Sequence, residues 1–201
     1  MYKVSKLCFF IVYFYVFSSC KPQVCVKKYS YNSTSVTWTA YKFTSKVGLR
    51  GTFSEVNVLG AKSNEEDWKK VLLNAVFTIP TKSVNTNLDY RDDNIRNYFF
   101  NKMVSTENIE GKITSIDENE AIVEIRMNGN IFPMKMLVNR NENVVSFNSV
   151  IDLNDWKAKP SMDSLQAFCY DLHKGTDGIS KFWPDVKLEI STLLKVTEDC
   201  K

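Results

Sequence analysis

Between Ile109 and Leu153 the chain reads as four strands in succession: IEGKITSID, EAIVEIRM, IFPMKMLVN and NVVSFNSVIDL. Their connections are short and polar: Asp117-Glu118-Asn119-Glu120, then Asn128-Gly129, then Arg140-Asn141-Glu142. Asn-Gly is the strongest short hairpin signal, because both turn residues must tolerate positive φ. The run therefore predicts an antiparallel meander. Within the third strand Phe132, Met134, Met136 and Val138 alternate with Ile131, Pro133, Lys135 and Leu137, the period of a half-buried strand. Pro133 has no amide hydrogen, which predicts an edge, a bulge or local splay.

The flanking sequence adds strands and a few helices. Over 34–43, Val36, Trp38 and Ala40 share one face and Thr37, Thr39, Tyr41 and Phe43 the other. A second strand is expected over 51–60, opened by Phe53, Val56 and Val58. Ser63 and Glu66 read as a capping box for a helix whose Trp68, Val71, Leu72 and Ala75 have helical spacing. AVFTIP at 75–80 is a short strand. Helices are expected over 89–102, with Ile95, Phe99 and Met103 buried, and over 161–174, with the stripe Leu165, Phe168, Cys169 and Leu172. Gly175 is a candidate C′ residue for that last helix. VKLEISTLLKV at 186–196 closes the list. About eight strands and three helices, with no repeat and no linker, make one mainly β domain.

Catalytic chemistry is hard to find in this chain. His173 is its only histidine, and its position suits capping of a helix end. There is no G-x-S-x-G elbow, no CxxC or HExxH, no P-loop and no GxGxxG. The carboxylates Glu65, Glu66 and Asp67, and the pair Asp92 and Asp93, fall at helix starts, where negative charge suits the dipole. The residues thus predict a protein that is not an enzyme and holds no metal or cofactor. Its formal charge is +3, and removing residues 1–19, which carry Lys3 and Lys6 and no acidic residue, leaves +1. Such a charge gives no electrostatic reason to expect nucleic acid.

The N-terminus reads as an address. Lys3 and Lys6 precede an apolar run from Leu7 to Phe17, which is too short to span a bilayer and fits a secretory signal. Phe17-Ser18-Ser19-Cys20 resembles a bacterial lipobox, with Phe17 where that motif usually has Leu. The expected organisation is a lipoprotein signal at 1–19, lipidation of Cys20, a polar tether over 20–33 and a domain over 34–201. The product would be exported and held at the bacterial envelope by its lipid, facing the periplasm or the cell surface. Export permits disulfides.

Four blocks carry a family resemblance: VTWTAYKFTSKVGLRGTFSEV at 36–56, SVNTNLDYRDDNIRNYFF at 83–100, IEGKIT at 109–114 and LHKGTDGISKFWPDVKLEI at 172–190. Together they resemble the YceI-like family of exported, lipocalin-like lipid-binding proteins, and the last block looks like the variant of Bacteroidetes-type lipoproteins. The resemblance implies an eight-stranded antiparallel barrel around an interior tunnel for an isoprenoid or similar amphiphile. On that fold the lining candidates are Trp38, Ala40, Phe53, Val58, Phe132, Met134, Met136 and Phe147, and Arg91 is placed to meet a polar head group or else to pair with Asp89 or Asp93. Lys42 shares a face with Trp38, so it belongs at a barrel mouth. Cys25 precedes the first strand and Cys200 follows the last. Those ends are neighbours in a closed barrel, which predicts a Cys25–Cys200 bridge and leaves Cys169 as a buried free thiol. The functional expectation is a lipid-anchored binder of an isoprenoid-like ligand; the alternative is a non-catalytic interaction module whose barrel core is filled.

Overall fold

The computed structural model describes residues 25–196. The chain forms β1 (Lys27–Tyr29), β2 (Ser35–Lys42), β3 (Val47–Phe53) and β4 (Asn57–Leu59), then helix α1 (Trp68–Leu72). Next come β5 (Val76–Pro80), a 3-10 turn at Thr81–Ser83, β6 (Val84–Asn85), helix α2 (Asp89–Tyr98) and a 3-10 turn at Phe100–Lys102. The meander follows as β7 (Asn108–Ile116), β8 (Glu120–Met127), β9 (Asn130–Asn141) and β10 (Val144–Asp152). A 3-10 turn at Leu153–Trp156, helix α3 (Lys159–Phe168), another turn at Asp171–His173 and the long β11 (Phe182–Val196) complete the chain.

These eleven strands form eight staves in a closed antiparallel ring. The pairing order is β4-β5-β7-β8-β9-β10-β11-β2-β3-β6. Its ends are not free edges, because β4 continues β3 and β6 continues β5. Phe53 faces Val84 and Asn57 faces Thr78, so three residues intervene on one strand and five on the other. The Thr81–Ser83 turn takes up the two extra residues. β1 likewise continues β2, since both pair along β11. Residues 27–29, read from sequence as tether, are therefore part of the sheet. The mainly β, antiparallel class is as expected, but among the described residues the strands number eleven and not eight, because three of the eight staves are interrupted.

Local chemistry explains most of the elements. Asn128 and Gly129 have φ of 50° and 68°, the left-handed pair that a tight β8–β9 hairpin demands. Pro133 lies where β9 has parted from β10, whose pairing with it covers only Leu137–Asn141, so no amide is missed. Trp156 fills that seam, wholly buried, and its Nε1 donates to the Ile125 carbonyl at 2.9 Å. β11 shifts register between Phe182 and Val186, around Pro184, and begins earlier than the expected 186.

Several helix boundaries differ from the sequence expectation: α2 ends at Tyr98 and not 102, α3 starts at Lys159 and not 161, and two further differences have visible causes. Asp67, not Ser63, caps α1, its carboxylate accepting from the Lys69 amide at 3.0 Å. Glu65 is held extended by a two-way backbone pairing with Lys27, so the Ser63–Glu66 box cannot form a first helical turn. α3 ends at Phe168, and His173 stands in a separate 3-10 turn; Gly175 is accordingly no C′ residue of α3.

Cys25 is disulfide-bonded. Cys200, its expected partner, and Cys20, where lipidation is expected, lie outside the described residues. Cys169 is the free, buried cysteine among the described residues.

Candidate functional site

The barrel is packed at one end, apart from a cavity of about 40 Å³, and hollow at the other. Around β1 and α1 the interior is filled by side chains such as Val123, Met136, Val145 and Phe147, all nearly or fully buried. Beneath α2 and α3 it encloses a cavity of about 200 Å³. Trp38 and Ala40 of β2, Phe53 of β3, Phe77 and Ile79 of β5, Ile125 of β8, and Val186 and Leu188 of β11 form its walls. Ile95 of α2 and Phe99 just after it, with Leu165 of α3 and Cys169 just after that helix, form its roof. The lining is apolar except where Lys42, Tyr90, Arg91, Asn94 and His173 ring the mouth. An apolar chain placed there leaves water, worth roughly 25 cal/mol per Å² of surface buried.

Two glycines shape the walls. Trp38 faces Gly51 across the β2–β3 pair, and a Cβ on Gly51 would sit 2.2 Å from Trp38 Cζ2. Phe77 faces Gly111 across β5–β7, and a Cβ there would sit 1.8 Å from the Phe77 ring. In both places a missing side chain lets an aromatic ring lie against the neighbouring strand instead of filling the interior.

Helix α2 divides its polar residues between structure and site. The buried Asp92 carboxylate accepts from the Thr86 amide at 2.8 Å and its hydroxyl at 2.6 Å, pinning the loop ahead of the helix. Arg96 donates to the carbonyls of Lys82 and Val84 and pairs with Asp93 at 2.7 Å. Arg91 is left at the cavity mouth with no ion pair or side-chain hydrogen bond among the described residues. Pairing with Asp89 or Asp93, the alternative open at the sequence level, does not occur.

Burial pushes the Cys169 thiol up. Burial, followed by the charge of Lys42, pushes the His173 imidazole down. His173 stacks on Phe182 with ring centroids 5.8 Å apart, and its Nδ1 is buried with no hydrogen-bond partner among the described residues. Lys42 occupies the mouth, its Nζ 3.5 Å from the Leu172 carbonyl and 4.6 Å from the Phe43 ring centroid. Among the described residues no group of His, Cys, Asp and Glu side chains could hold a metal ion.

The expected lining residues separate into three groups. Trp38, Ala40, Phe53 and Arg91 line the main cavity. Val58, Met136 and Phe147 line a second cavity of about 40 Å³ on the far side of Val36, Phe77 and Ile190. Met134 and Phe132 line neither. Met134 is in the packed core, and Phe132 is 38% exposed, edge-on to Trp156 at 5.5 Å. Phe132 shares the inward face of β9 but lies at the splayed seam, so it covers the Trp156 plug instead of the cavity. Sequence reasoning did not place Phe77, Ile79, Leu49 or Phe182 in the lining. The buried helix faces were visible as periodicity, but not the void they cover.

Residues 28–193 match the YceI-like domain. The chain belongs to the YceI-like domain family. Solved structures share the fold at low identity. A structure described as a polyisoprenoid binding domain from Saccharophagus degradans implicated in plant cell wall breakdown matches with a TM-score of 0.58 and 11% identity, covering 87% of this chain and 99% of that one. Burkholderia cenocepacia BcnA matches with a TM-score of 0.51 and 12% identity, over 81% of this chain and 96% of its own. A Campylobacter jejuni YCEI protein reaches a TM-score of 0.50 at 14% identity, over 78% and 90%. No curated protein sequence matches the chain. At these identities the neighbours establish the YceI-like barrel and not a ligand.

Proposed function

We propose that this YceI-like protein is a lipid-anchored component of the bacterial envelope that holds an amphiphilic, isoprenoid-like lipid in its barrel and catalyses no reaction. The observation that carries the proposal is the apolar cavity of about 200 Å³ closed by α2 and α3, with polar and cationic side chains confined to its mouth. That gradient suits a molecule with one apolar chain and one polar head. The unpaired Arg91 supplies a charged donor for a head group rich in acceptors. The Saccharophagus neighbour, described as a polyisoprenoid binding domain, supports the ligand class. A filled barrel, the competing reading, is favoured by the packed end of the interior but not by the cavity at the other.

An anchor on Cys20 suits this geometry. β1 joins the sheet at the C-terminal end of β11, Leu194–Val196, whereas Phe182 at the other end of β11 lines the cavity. A lipid on Cys20 would hold the barrel by the end away from its mouth, facing the periplasm or the cell surface.

The test has two arms. Protein purified from its native source is extracted with organic solvent and the extract examined by mass spectrometry; a recurrent isoprenoid-like lipid is expected. Empty extracts, together with no uptake of isoprenoid quinones or polyprenols, defeat the binding claim. Labelling cells with a palmitate analogue tests the anchor: label should vanish in Cys20→Ala, and equal label in both proteins would exclude it.

A further inference from the structure

The interior is two compartments separated by a thin layer. Val36, Phe77 and Ile190 line both the main cavity and the small one beyond it. We propose that the small cavity is a distal subsite for the end of the ligand's hydrocarbon chain and that Phe77 is the door to it, so that Phe77 sets the longest chain the barrel accepts. This rests on the lipid-binding reading above and goes beyond it in naming a chain-length determinant.

Phe77 is the member of the layer whose side chain is least restricted. Val36 and Ile190 are β-branched, which restricts χ1, and their strands β2 and β11 pair with each other at those residues. The Phe77 ring instead lies against Gly111, which presents no side chain to it, and it lines both cavities. A ring bordered by voids forfeits fewer contacts when it rotates than one in a close-packed core. Swinging it aside joins the two cavities.

The far wall fixes which end of a ligand arrives there. The hydroxyls of Tyr29, Thr34 and Thr192 close the small cavity, and they satisfy one another at 3.0 Å and 2.9 Å. Two of their three O–H donors are spent within that chain, so the far wall has no charged group and only one spare hydroxyl donor for a polar head, which costs free energy to bury unpaired. The rest of that lining, including Val58, Met136 and Phe147, is apolar. The chain enters tail first, and its head stays at Arg91.

The experiment titrates the mature protein with geraniol, farnesol, geranylgeraniol and solanesol by calorimetry, in wild type, Phe77→Leu and Phe77→Ala. Wild-type affinity should rise with chain length and then level off. In the Phe77 variants the plateau should move to a longer prenol, with a gain of about tenfold for every two further methylenes buried. Phe77→Leu keeps the proposal testable if Phe77→Ala does not fold. Adding Val58→Phe, which fills the small cavity without touching the main one, should return the plateau to its wild-type position. Folded Phe77 variants whose plateau matches wild type overturn the door and leave the binding reading standing. Absence of prenol binding to wild type sinks both.

Discussion

The six-membered ring of Trp38 covers Gly51 on the next strand, with Cζ2, Cε2 and Cη2 all within 2.8 Å of where a Cβ would stand. Gly51 is therefore a seat for the indole, and the seat keeps the ring out of the cavity. Gly51→Ala should force Trp38 inward, shrink the cavity and destabilise the fold by about 1–3 kcal/mol. Thermal melts and prenol titrations check it together. An alanine variant as stable and as avid as wild type would show that the ring does not depend on the glycine.

Arg91 offers a separable test, because it holds no ion pair or side-chain hydrogen bond among the described residues while Arg96, five positions on, holds three. Arg91→Gln should leave stability within about 0.5 kcal/mol of wild type. It should weaken binding of an anionic or carbonyl-headed amphiphile by roughly tenfold, the scale of one charge-assisted hydrogen bond. Arg96→Gln should do the reverse, lowering the melting temperature first. Equal effects of both substitutions on melting would refute the division of roles.

Cys169 reports occupancy. Its thiol lines the cavity and burial raises its pKa, so the empty protein should react slowly with iodoacetamide at neutral pH. A bound chain should slow that reaction further, in proportion to occupancy. A labelling rate that ignores saturating prenol would place the ligand elsewhere.

His173 gives the fold a pH dependence of known sign. Its folded pKa lies below the usual imidazole value of 6.5. As pH falls below about 6.5 the unfolded chain takes up the proton first, so the unfolded state gains. The stability due to the neutral imidazole is whole above that pH and is lost as pH falls toward the folded pKa. Denaturant titrations of wild type and His173→Gln should diverge in slope below about pH 6.5, with the variant losing less on acidification; parallel curves would rule the contribution out.

The disulfide at Cys25 ties down the strand that enters the barrel. Cys25→Ser should cost about 2–4 kcal/mol, measured as a lower denaturation midpoint under non-reducing conditions. An unchanged midpoint would mean that β1 needs no staple.

Much of this was legible in the sequence, and what was not has physical causes. The meander β7–β10 was readable because alternation and Asn128-Gly129 are local signals, and the positive φ at both turn residues shows the same chemistry. The capping box at Ser63 misled because the Lys27–Glu65 pairing joins residues far apart in sequence. Phe132 misled for another reason: alternation tells which face a side chain takes but not its height along the barrel. Trp38 and Phe132 both face inward, yet one lines the hollow and the other covers a seam. The hollow itself depends on Gly51 and Gly111 lying opposite Trp38 and Phe77, and such a register belongs to the fold and not to any one segment.

Native mass spectrometry of the intact, folded protein purified without detergent tests the central claim most directly. A single non-covalent amphiphile per chain is expected, released on unfolding and restored by adding a prenol. A spectrum of the bare polypeptide that stays bare when prenols and isoprenoid quinones are supplied would contradict it.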